Sequence, residues 1–135
     1  MGLTHVTTRI GSLTKEGTPL EASFLVATGS IDCLAPRDKL IAAGITPEGK
    51  AVYELANGQP LECEYGFARV SVLGDETVAQ VIFGAENAAP ILGAVALENI
   101  GLVVDPVTKT LKRLHAKPLK TAAIAAQRHG HRKPN

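Results

Sequence analysis

An Asn-Gly pair at 57–58 stands between two strand-like stretches, Lys50–Ala56 and Leu61–Leu73. Asn-Gly readily adopts the positive backbone angles of a tight hairpin turn, and between apolar-alternating flanks it is the strongest short-range hairpin signal a sequence carries. The middle of the chain is therefore committed to antiparallel β structure. Thirteen glycines and eight prolines interrupt the 135 residues throughout. Turns recur too often for long helices, so the chain reads as all-β with one or two short helices.

The remaining elements fall between these breaks. Leu3–Ile10 alternates and is rich in Thr and Val, and Leu20–Val26 forms a second strand after a polar turn at 11–17. Pro36 opens a short helix that Gly44 stops. Thr77–Phe83 continues the sheet after a turn at Gly74-Asp75. Ile91-Leu92-Gly93 reads as a buried strand, Ala94–Asn99 as a helix capped by Gly101, and Leu102–Val104 as a strand stopped by Asp105-Pro106. Leu111 and Leu114 sit on a last short strand.

Length and composition narrow the class. A chain of this size holds one domain with a sizeable core. With no Trp and aromatics at only 4%, that core must be built on Val, Leu, Ile and Ala. A net charge of +1 provides no global field to draw nucleic acid or a membrane surface. No apolar run reaches the ~20 residues of a membrane span, and the N-terminus carries no signal-peptide apolar region. Cys33 and Cys63 are too few for a disulfide framework and lack metal-ligand spacing, which points to reduced thiols and a cytoplasmic protein.

Chemistry enters at FLVATGS, residues 24–30. An apolar run ending in Thr-Gly-Ser looks like a buried strand that turns sharply at Gly29. Downstream, PILGAVALENIGLVVDP at 90–106 places an apolar-apolar-Gly segment before a short helix. In this order, with the Ala56-Asn57-Gly58 hairpin between them, the segments resemble the retropepsin-like aspartic proteases, in particular their small bacterial and archaeal members. The resemblance spans residues 3–114, leaving 115–135 as a basic C-terminal extension.

That resemblance implies a closed β-barrel of the acid-protease type and a catalytic Asp where this chain has Ala27. Two carboxylates about 3 Å apart cannot both ionise, so they share one proton. One acts as general base on water while the other hydrogen-bonds the scissile carbonyl. With one motif per chain, the pair would be assembled across the two-fold axis of a homodimer. Thr28 would bond to the partner loop, Gly29 would permit the turn and close approach of substrate, and Ser30 would hydrogen-bond the carboxylate. Ile31 and the hairpin residues Leu55, Ala56, Asn57 and Gly58 would bind substrate, the hairpin closing over it as a flap. The tip ANGQP has a single Gly and carries Pro60, whereas retroviral flaps are Gly-rich. Val52 and either Val81 or Ile82 are further candidates for the pocket walls. No cofactor or metal is called for.

Ala27 leaves the chain as written without its catalytic carboxylate. A natural non-catalytic relative that binds peptide as a dimer is one explanation. Replacement of Asp by Ala is the other, and it is favoured because Thr28, Gly29 and Ser30 remain intact. Asp32 lies beyond the turn and is expected to point elsewhere. The stretch 117–135 holds five Lys and Arg and no acid. Within it Thr121–Gln127 has helix propensity, and His129 and His131, with His115, read as tail residues rather than metal ligands. Part of 115–135 occupying the cleft as substrate is a further expectation.

Overall fold

The computed structural model describes residues 4–117 and 119. Its main sheet has seven strands: β1 (His5–Gly11), β2 (Leu20–Val26), β3 (Cys33–Pro36), β4 (Gly49–Glu54), β5 (Pro60–Val72), β6 (Asp75–Gly84) and β7 (Ile91–Leu92). Helix α1 (Arg37–Ala42) follows β3, and α2 (Ala94–Ile100) follows β7. A separate hairpin joins β8 (Leu102–Val104) to β9 (Leu111–Arg113).

The order is β1-β2-β7-β3-β6-β5-β4, with β1 also paired to β5. The sheet therefore returns on itself and leaves β4 as an outer strand. In place of the expected regular closed barrel the ring is less regular, because β7 has two residues and meets β3 through the single pair Leu34–Ile91. The protein is mostly β, as the Gly and Pro spacing implies.

The core inside this ring is mainly aliphatic, with Ile10, Leu40, Val70, Val81 and Leu92 fully buried. Phe24 is the largest of the fully buried side chains. Thr8 is also fully buried and satisfies its hydroxyl on the carbonyl of Val6 at 3.2 Å.

β2 and β8 have the limits the sequence predicts. Gly101 closes α2 in the left-handed conformation, φ 77°, and its N–H bonds the Glu98 carbonyl. The hairpin forms between β4 and β5 with Gly58 at φ 86°. One strand, Cys33–Pro36, has no counterpart among the elements read from the sequence; it pairs in parallel with β6 from Cys33–Val81 to Pro36–Gly84.

Candidate active site

The segment from Ala27 to Asp32 links β2 to β3, yet these two strands do not pair. Strand β7 lies between them, parallel to β2 and antiparallel to β3. The connecting loop must therefore cross the end of β7 and the start of α2. It is held there through backbone groups. The Ala27 N–H donates to the Leu92 carbonyl at 3.1 Å, and the Ser30 N–H donates to the Ala27 carbonyl at 3.0 Å, closing a tight turn. The Ala94 and Val95 N–H groups, unpaired donors of the first helical turn, bond the carbonyls of Ser30 and Ile31 at 2.7 and 3.1 Å. Gly93 also donates to the Cys33 sulfur at 3.5 Å.

The loop is thus fixed from beneath while its tip is open. Ala27 and Ser30 are half-buried, Thr28 and Gly29 exposed, and Ile31 is 66% exposed. Gly29 is expected to be required by the turn, but its φ lies outside the left-handed region and a Cβ there would meet nothing within 4 Å. Nothing among the described residues explains a glycine at this position.

The hairpin approaches the loop from β4. Residues 60–64 of β5 pair with β4 but lie beyond the β5–β6 pairing, which begins at Tyr65–Ile82. The ribbon therefore projects from the sheet. Its tip residues Leu55, Ala56, Asn57 and Gly58 are exposed. They bond locally: Leu55 N–H to the Gln59 carbonyl, Gly58 N–H to the Leu55 carbonyl, and Gln59 N–H to Asn57 Oδ1.

Nearer the base, Tyr53 donates its hydroxyl to Asp32 Oδ2 at 2.8 Å and accepts from Gln80 Nε2 at 3.1 Å. Burial, followed by the bond to the Asp32 carboxylate, pushes the Tyr53 hydroxyl up to about 12. Asp32 therefore points to the hairpin and joins the loop's exit to it. Neither Tyr53 nor Gln80 is a candidate from the sequence. The available signal is alternation along β4, which sets Tyr53 on the face opposite Lys50, Val52 and Glu54.

The expected pocket walls Val52 and Val81 or Ile82 lie in different surroundings. Val81 is wholly buried in the core, and Val52, 68% exposed, lies on the hairpin face opposite Tyr53. Ile82 instead lines a crevice of ≈ 450 Å³ with Leu34, Leu61 and Cys63, where the ribbon leaves the sheet. A more polar cavity of similar size lies by β1 and the 11–19 turn. There Arg69 is engaged by the Leu13 carbonyl and Glu76.

Cys33 and Cys63 are both free thiols, the first buried and the second half-buried. No cluster of metal-ligating side chains occurs among the described residues, and no helix among them is long and apolar enough to cross a membrane. His115 to Lys117 continue past β9, with Lys117 Nζ donating to the Asn99 carbonyl at the end of α2. The expected Thr121–Gln127 helix, His129, His131 and most of the substrate-like extension lie outside the described residues. Comparison of the chain with protein-family models and with curated proteins gave no match.

Proposed function

We propose that this chain has the retropepsin-like fold and that its active form is a homodimeric aspartic endopeptidase with an aspartate at position 27. The observation that carries the reading is the Ala27–Ser30 turn: anchored by backbone bonds to β7 and α2, exposed at Thr28-Gly29, and followed by Asp32, to which the hairpin is tied through Tyr53. A rigid base and an open tip suit a group that must meet both a substrate and a second copy of itself.

In that dimer, the carboxylate at position 27 of one protomer would face its counterpart across the axis. The ionised member takes a proton from water, the protonated member donates to the carbonyl oxygen, and a peptide bond is hydrolysed through a tetrahedral intermediate. Gly29 leaves room for substrate backbone, and Ile31 with the hairpin tip lies along the peptide. With Ala27 no proton acceptor is present, and the chain as written is inert while keeping a peptide-binding cleft.

Ala27 itself favours a second reading, a dimeric module that binds peptide without cutting it. The substitution Ala27→Asp separates the two. Under the first reading, the variant cleaves members of a peptide library at mildly acidic pH, is blocked by a statine-type inhibitor, and loses activity on dilution below the dimer dissociation constant. A folded, dimeric but inert Ala27→Asp protein would sink the protease reading.

A further inference from the structure

We propose that Tyr53 is a positioning residue that latches the outer part of the β4–β5 hairpin to the exit of the Ala27 loop at Asp32 and so sets how the tip sits relative to that turn. The inference rests on the reading of this hairpin as the flap of a peptide cleft. Tyr53 occupies the fifth of six positions in β4, near the end that leads into the tip. Beyond it, the hydrogen bonds of residues 55–59 are internal to the hairpin. Beside it, β5 has already parted from β6. The ribbon's position is therefore governed by whatever holds its inner face.

The Tyr53 hydroxyl meets that need because a phenol both donates and accepts. It donates to Asp32 Oδ2 at 2.8 Å, a bond strengthened by the acceptor's charge, and accepts from Gln80 Nε2 at 3.1 Å. Three elements that are distant in sequence converge on one oxygen: β4, the exit of the Ala27 loop, and β6. A second tie, Arg37 to Glu64 at 3.0 Å, is more exposed and lies farther from the tip, since Glu64 pairs with Lys50. A surface pair of this kind holds geometry weakly.

Tyr53→Phe keeps the ring and removes both bonds. Asp32→Ala removes the acceptor, whereas Asp32→Asn retains a carbonyl oxygen that can still accept from the hydroxyl. In the full chain, ¹⁵N relaxation should show the amides of residues 56–59 moving from rigid order parameters, about 0.85, toward about 0.6 or lower in Tyr53→Phe and Asp32→Ala. Asp32→Asn should stay close to the parent, and amides of β1 and α1 should not change. In the Ala27→Asp background, Tyr53→Phe should raise KM for a peptide substrate about tenfold, the scale of one lost charged hydrogen bond, with kcat altered less than about twofold.

Unchanged tip order in Tyr53→Phe and Asp32→Ala overturns the latch, as does an equal loss of order across the whole domain. If Tyr53→Phe does not fold, the contrast between Asp32→Ala and Asp32→Asn decides the matter by the same readout. A tip freed by these variants in a protein whose Ala27→Asp form never cleaves supports the latch and overturns only the protease reading. Cleavage by Ala27→Asp with tip order and KM insensitive to Tyr53→Phe overturns only the latch.

Discussion

Gly93 lies so close to the carbonyl of Asp32 that a Cβ on the glycine would overlap it, and the Ile31 carbonyl oxygen would stand 2.7 Å away. The backbone of Gly93, φ −86° and ψ 173°, is one that any residue adopts. The need for glycine is therefore one of space. The chain leaving β7 passes directly beneath the loop that leaves β2, with no room for even a methyl group between them.

Gly93→Ala should accordingly destabilise the protein by about 1–3 kcal/mol or more, because rigid backbone on both sides cannot yield as a side chain would. Denaturant unfolding should register a lower midpoint at unchanged slope. A variant within error of the parent would mean that the two backbones separate easily and that the loop is less firmly seated than its backbone bonds imply.

Gly29 provides the opposite case on the same loop. Open space surrounds its missing Cβ, so Gly29→Ala should change folding stability by no more than about 0.5 kcal/mol. Under the protease reading the same methyl group, in the Ala27→Asp background, would stand where substrate backbone approaches, and kcat/KM should fall at least about tenfold, or roughly 1.4 kcal/mol. Full activity in that double variant would place the substrate elsewhere.

The two cysteines should differ sharply toward thiol reagents. Burial pushes Cys33 up to about 11, only partly offset by the Gly93 N–H that bonds its sulfur. At pH 8 its thiolate is then about one part in a thousand of the total. Cys63 is raised less and is half-buried, so it should react first. Titration with an aromatic disulfide should give one fast thiol, abolished by Cys63→Ser, and a second released only on unfolding. Two equally fast thiols in the native protein would contradict the burial of β3.

Asp105 links acid stability to the turn before β9. The N–H groups of Val107 and Thr108 bond its Oδ1 at 2.8 and 3.3 Å and hold the carboxyl below its ordinary 3.8. The unfolded chain therefore takes up this proton first as the pH falls. The stabilisation is present above the unfolded value, falls away as the pH passes below about 5, and is lost as the pH drops through the lower folded value. Asp105→Asn keeps an acceptor but cannot titrate, so its unfolding midpoint should lack this component between about pH 5 and pH 2. Parallel midpoints for parent and variant over that range would refute the assignment.

The elements legible from sequence are those whose signals are local. Leu20–Val26 ends where the turn residues begin, Gly101 takes the left-handed conformation that ends α2, and Asn57-Gly58 closes the hairpin. Cys33–Pro36 carries no such signal: Cys-Leu-Ala-Pro neither alternates nor contains a β-branched residue. It is a strand because β6 and β7 supply its backbone partners on either side. The face of Val81 is hidden for a related reason, since Val81, Ile82 and Phe83 are all buried and alternation disappears along that run.

By itself the sequence determined the β class, the turns and the short helices, because each depends on backbone preferences of neighbouring residues. Tertiary structure alone decided that β7 separates β2 from β3, that Gly93 must be small, and that Asp32 faces Tyr53 and not open solvent. Those outcomes depend on pairing between segments distant in the chain, where packing and hydrogen-bond satisfaction outweigh any local propensity.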